Sequence, residues 1–162
     1  MNAITIYPAD FHRIYQTDSE LSSRPQIKHG GCFFVSIVMA LALNFRIPLV
    51  HSSLIAFYDK ELADNDADVN NEMFVADPQN LIDDFIGAGK VLYLGRRSAD
   101  YEAKPCDIIW GCWHRDGADF DHFTHGAARP VAHDPWRNAD GSGSASVGEG
   151  KLIGVRVGRI IV

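Results

Sequence analysis

The sequence predicts an α+β protein, with helices in its first half packed on an antiparallel sheet built from its second. Before residue 90 the apolar residues fall in a continuous run or at helical spacing. After residue 90 they gather in short β-branched and aromatic segments separated by turn residues. The continuous run, residues 33–43 (FFVSIVMALAL), predicts the central element. A helix that is apolar all round is a buried helix. This run is also too short for a bilayer, which needs about 20 apolar residues.

Taken in order, residues 3–7 (AITIY) predict a short strand ended by Pro8, and residues 9–16 a helical turn. Residues 17–25 are polar and turn-rich and read as a loop. Gly30 and Gly31 let the backbone turn tightly into the buried helix, which runs to about Phe45 and is stopped by Pro48. A second helix is expected over residues 50–62. The acidic stretch 63–72 faintly resembles a calcium-binding loop, with Asp64, Asp66 and Asp68 at alternate positions. It lacks the glycine and the closing glutamate that such a loop needs, so it reads as a solvated loop. Asp77 as N-cap and Pro78 at the first helical position open a third helix. Leu81, Ile82, Phe85 and Ile86 give that helix an apolar stripe, and Gly87 and Gly89 end it.

Residues 91–94, 107–113 and 119–124 then read as strands, with a hairpin turn at Arg115, Asp116 and Gly117. Residues 130–133 form a short extended piece before Asp134-Pro135-Trp136. Residues 137–150 are rich in glycine and serine and read as a loop. The closing LIGVRVGRIIV reads as a strand bent at Gly158.

A chain of 162 residues is the size of one domain, 1–162, and can bury a core without staples. The net charge of -6 and the scatter of its cations argue against nucleic acid as a partner. Three cysteines without a CxxC pair do not make a disulfide framework. With neither a signal peptide nor a membrane-spanning stretch legible, a cytoplasmic protein without a membrane partner is expected.

The chemistry centres on Cys32. A helix N-terminus offers unpaired N–H groups and a partial positive charge, and both favour the thiolate, the nucleophilic form. A thiolate needs a base, the base needs an orienting partner, and the carbonyl oxygen under attack needs donors. His122 lies in FDHFTHG and Asp134 in AHDPW. Neighbouring antiparallel segments would bring the two together, with the carboxylate fixing the imidazole tautomer. The helix N-terminus is half of an oxyanion site, and Gln26, six residues before Cys32, is a candidate for the other half. His125 competes with His122 for the role of base. His133 and His29 are further rivals, and Asp134 read on its own is also a common turn opener. Cys106 and Cys112 fit core positions.

Taken together, Gln26, Gly31-Cys32, His122-Phe123 and Asp134-Pro135 resemble the papain-like cysteine peptidase fold. They are most similar to the small bacterial peptidases that remove double-glycine leaders. The chain also looks like an uncharacterised phage- or plasmid-borne papain-like family of similar size. The resemblance covers roughly residues 24–45 and 105–162; the middle is unmatched, and these 162 residues hold no counterpart of the leader peptidases' transporter domains. It implies Cys32 as nucleophile, His122 as base, Asp134 as orienter and Gln26 as oxyanion donor. The activity it implies is that of a hydrolase cleaving an amide bond, a peptidase or peptidoglycan amidase. No cofactor is implied, and the partner is a peptide or protein substrate, a peptidoglycan peptide among the candidates. The alternative is a catalytically inactive papain-like module that binds a peptide or protein. A zinc site is a third possibility, since Cys32, Cys112, His114, His122, His125 and His133 are zinc-binding types. The only short spacing is His122–His125, however, and on a strand those side chains point to opposite faces. No metal ligand is therefore expected.

Overall fold

The computed structural model describes residues 1–64, 67–68 and 74–162. It is an α+β structure in which helices come first and the main sheet last. The elements are α1 (Pro25–Gly30), α2 (Cys32–Phe45), α3 (His51–Ala63), the short strands β1 (Ala67–Asp68) and β2 (Phe74–Val75), and α4 (Pro78–Ile86). They are followed by β3 (Val91–Arg97), β4 (Asp107–His114), β5 (His122–His125), α5 (Ala145–Glu149) and β6 (Lys151–Ile160). The main sheet is antiparallel in the order β3-β6-β4-β5. Most of the acidic stretch 63–72 lies outside the described residues.

α2 is the spine. Every residue from Phe34 to Asn44 is buried, and the helix lies against β5 and β4 on one side and α1 and α4 on others. Its two polar residues are used as ties. Ser36 Oγ donates to the Phe123 carbonyl (3.2 Å), and the Ser36 carbonyl accepts from Trp110 Nε1 (3.0 Å). Asn44 Oδ1 accepts from the Ile4 N–H (2.6 Å) and fastens the N-terminal segment. The helix ends as Arg46 turns left-handed (φ 54°) and the Ile47 N–H closes on the Ala42 carbonyl. α4 is capped by Asp77, whose carboxylate accepts from the Asn80 N–H (3.0 Å).

Several local expectations are corrected. Residues 3–7 are not a strand, because no sheet edge meets them; Ala3 pairs instead with the Pro105 carbonyl and Ile4 with Asn44. Residues 9–16 form no helix, only a turn at Pro8 and Phe11. The short piece 130–133 meets the main sheet through one bridge, His125 to His133. β5 begins only at His122, and Phe120 before it is exposed. The stretch 137–150 contains α5, whose N-cap Ser144 accepts from the Val147 N–H. Gly158 does not bend β6. A Cβ there would come within 3.0 Å of the Trp110 ring, so the glycine seats that indole. The irregularities fall elsewhere, at Leu94 in β3 and Ile153 in β6.

Candidate active site

Cys32 is the first residue of α2 and is half-buried. α1 ends at Gly30, so only Gly31 separates the two helices. Any side chain at Gly31 would collide with the Ile27 carbonyl, which is why a glycine stands there. Gly31, the N-cap, makes no side-chain cap, and the first-turn N–H groups beside the thiol have no intrahelical acceptor.

His122 opens β5 and is nearly buried. Its Nε2 lies 2.7 Å from Asp134 Oδ1. A carboxylate only accepts, so Nε2 carries the hydrogen and Nδ1 is left for the thiol. Burial alone would lower the affinity of this ring for a proton. The hydrogen bond to Asp134, followed by hydrogen-bonding and charge interaction with Cys32, outweighs burial and carries its pKa up to about 9. Burial works against the Asp134 carboxylate as well. His122, the Ser144 N–H (2.8 Å) and the Trp136 N–H (3.0 Å) nevertheless hold its pKa below the usual carboxylate value.

The loop that carries Asp134 is positioned from two sides. His125 and His133 exchange both backbone hydrogen bonds, 2.9 and 3.0 Å, and so tie it to β5. The N-terminal segment holds its outer edge: Arg13 donates to the Ala132 carbonyl, the Gln16 N–H to Pro135 and the Thr17 hydroxyl to Arg137. The glycine-rich return loop closes over the carboxylate, and a Cβ at Gly143 would sit 2.6 Å from Asp134 Oδ2.

Cys32 and His122 line a cleft of about 500 Å³, with Trp136, His29 and Gln16 in its walls. The structure thus brings together Cys32, His122 and Asp134. It does not bring Gln26 to them. Gln26 sits in the first turn of α1 and is not among the residues lining this cleft. The glutamine that reaches it is Gln16, which sequence reasoning missed. The Gln16 amide Nε2 donates to the Lys28 carbonyl at 2.8 Å, while its second contact, to Ile27, is long at 3.4 Å. Nothing local in the sequence marks Gln16, because its position depends on the backbone pairing with Pro135.

Of the rival histidines, His29 lines the cleft, whereas the other two stand elsewhere. His125 and His133 are fully buried beneath Tyr7. Cys112 is a core thiol whose pKa burial pushes up to about 11. Among the described residues, the side chains close enough to share an ion are Asp18, Glu20 and His51, and Glu61, Asp64 and Asp84; neither set includes a cysteine or His122. No helix among the described residues is long and apolar enough to cross a membrane. Set against known protein families, curated proteins and solved structures, the chain matches none.

Proposed function

We propose that this chain is a cysteine-dependent hydrolase acting on an amide bond of a peptide or protein, with a papain-like arrangement of its site. One observation carries the reading: His122 is hydrogen-bonded to Asp134 and shares a cleft with Cys32, whose charge it feels and whose thiol stands at the start of a buried helix. In this reading the Cys32 thiolate attacks the carbonyl carbon. The oxyanion is met by the Cys32 N–H and by the second, weakly engaged N–H of Gln16, which takes the part the sequence suggested for Gln26. The C–N bond breaks, and the imidazolium of His122 gives its proton to the departing amine. Water then adds to the thioester, His122 takes a proton from it, and the acid leaves as the thiolate is restored. Asp134 holds the ring in the required tautomer throughout.

The test is alkylation of each cysteine by iodoacetamide against pH, read by mass spectrometry, in the wild type and in His122→Ala. The expected result is fast modification of Cys32 alone near pH 6, with that advantage lost in the variant. A Cys32 that reacts no faster than Cys106, or equally fast without His122, removes the reading. The part given to Gln16 has its own check. Once a substrate is in hand, Gln16→Ala lowers kcat by about 100-fold and Gln26→Ala leaves it near wild type; the reverse order returns the role to Gln26.

A further inference from the structure

Cys32 borders a second cleft of about 430 Å³, which adjoins the first and is not lined by His122. Its floor is aromatic: the Phe33 and Phe123 rings lie 4.5 Å apart. Its wall carries Arg96 and Arg156, which stand directly opposite each other on β3 and β6. Residues opposite in an antiparallel pair project from the same face of the sheet. The half-buried Arg156 guanidinium lies 5.3 Å from the Phe123 centroid and reaches the Tyr93 hydroxyl. Asp121, Arg156, Cys32 and Arg96 all act electrostatically on Cys112, so the nucleophile and both cations lie near one point together with the Asp121 carboxylate.

Neither arginine is ion-paired among the described residues. The chain has 21 acidic residues against 15 basic ones. Arg24, Arg137 and Arg159 all have carboxylate partners. The nearest acids of this cleft stand on the β4–β5 loop: Asp121, which is taken up by His114 (3.0 Å), and Asp119. Two guanidiniums with no ion pair among the described residues, side by side over an apolar floor, form a receptor for a carboxylate on a short aliphatic stem.

We propose that this cleft binds the acyl side of the substrate and selects a residue bearing a side-chain carboxylate, held by Arg96 and Arg156 with its methylenes on Phe33 and Phe123. The inference rests on the hydrolase reading. The orientation follows from the proton. The leaving amine must lie next to His122, which lines the first cleft and not the second, so the acyl portion extends into the second.

The probes are the chloromethyl ketones of N-acetylglutamate and N-acetylglutamine, which differ by one charge at nearly equal size. Each forms an S–C bond with Cys32 and expels chloride, and labelling is followed by mass. The readout is the ratio of the two rates, in which any general change of thiol reactivity cancels. The glutamate probe is expected to react at least about tenfold faster, with the ratio falling to near one in Arg96→Gln/Arg156→Gln. Arg96→Glu, a change at an exposed position, turns the preference toward the corresponding lysine probe. Equal rates, no labelling by either probe, or a preference that survives the double substitution overturns the proposal while leaving the function intact. Failure of His122-dependent iodoacetamide alkylation removes the function itself, so the two failures are distinct.

Discussion

His122 and His125 lie three residues apart on one short strand, yet the fold makes them opposite kinds of histidine. His122 is bonded to a carboxylate through Nε2 and feels the Cys32 thiol nearby, and it holds its proton up to about pH 9. His125 is fully buried against the Tyr7 hydroxyl (2.9 Å), its Nε2 has no hydrogen-bond partner among the described residues, and burial pushes its pKa down to about 3. The same contrast repeats across the bridge, where Asp134 serves His122 while its neighbour His133 serves the core. His133 Nε2 donates to the Ile14 carbonyl (3.0 Å), so Nδ1 is the bare nitrogen that accepts from Arg13 (3.2 Å). Burial first, and then the guanidinium, oppose a second proton, and its pKa falls to about 4. Burial alone does not tell a working histidine from a structural one, since all three are buried. The partner does. An anion within reach makes a ring a proton carrier, while a hydroxyl and a cation keep it neutral.

The largest expected effect separates the two rings by substitution. His122→Ala removes the base and lowers the alkylation rate of Cys32 near pH 6 by about 10²- to 10⁴-fold. His125→Ala does the opposite: it lowers stability by about 2–4 kcal/mol through the cavity and the stranded Tyr7 hydroxyl, with Cys32 reactivity kept in the folded fraction. Paired measurements of alkylation and urea unfolding check this, and a His125→Ala variant that folds normally but has an inert Cys32 breaks the contrast.

Next in size is the effect of the carboxylate. Asp134→Asn preserves shape and deletes the charge. The His122 pKa is then expected to fall by about 1–3 units, read from the ring protons by NMR. A value that stays near 9 would place the source of the shift elsewhere.

How much of this was legible in the sequence follows from which forces are local. The buried helix and Cys32 at its start could be read because eleven consecutive residues speak for one environment. His122 and Asp134 could be singled out by their order, but not separated from His125 and His133. Strand alternation gives a face, whereas the choice between Tyr7 and Cys32 as neighbours is made by segments more than 80 residues away. Gln16 was illegible for the same reason. It sits in an irregular segment whose place is set by pairing with Pro135, and Gln26 met the expected spacing only because the short α1 had no sequence pattern of its own. α5 was hidden by composition: five residues with two glycines around them are helical only because Ser144 is anchored on Asp134.

The pH dependence of stability sharpens the comparison further, because the two kinds of ring act on opposite limbs. For His125 and His133 the native pKa values, about 3 and about 4, lie below the ordinary 6.5. The unfolded chain takes up their protons first, so their contribution is complete above pH 6.5 and is lost as the pH falls toward 4, with a slope approaching about 1.4 kcal/mol per pH unit for each ring. For His122 the native value of about 9 lies above 6.5. The native state holds a proton that the unfolded chain has released, so its contribution is complete below pH 6.5 and is lost as the pH rises to about 9, with a similar slope. Urea midpoints from pH 4 to 9.5 are therefore expected to pass through a maximum near neutrality. His122→Ala should flatten the alkaline limb and leave the acid one; an alkaline limb unchanged by that substitution would mean the ring is not charged in the native state.

The smallest effect concerns Tyr7. Tyr7→Phe deletes one hydrogen bond to a buried ring, as Asp134→Asn alters one, and the two differ in charge. The hydroxyl is buried and its ionisation is opposed by burial, so it acts on His125 as a neutral partner. Removing it leaves Nδ1 of a neutral ring unpaired and is expected to lower stability by about 1 kcal/mol, without opening a cavity larger than one oxygen. Cys32 reactivity should stay the same, because the backbone pair between His125 and His133, not the Tyr7 hydroxyl, fixes where Asp134 stands. A Tyr7→Phe variant of normal stability but impaired Cys32 alkylation would show the opposite: that the core histidines steer the working one through their side chains, and that the two regions are one network rather than two.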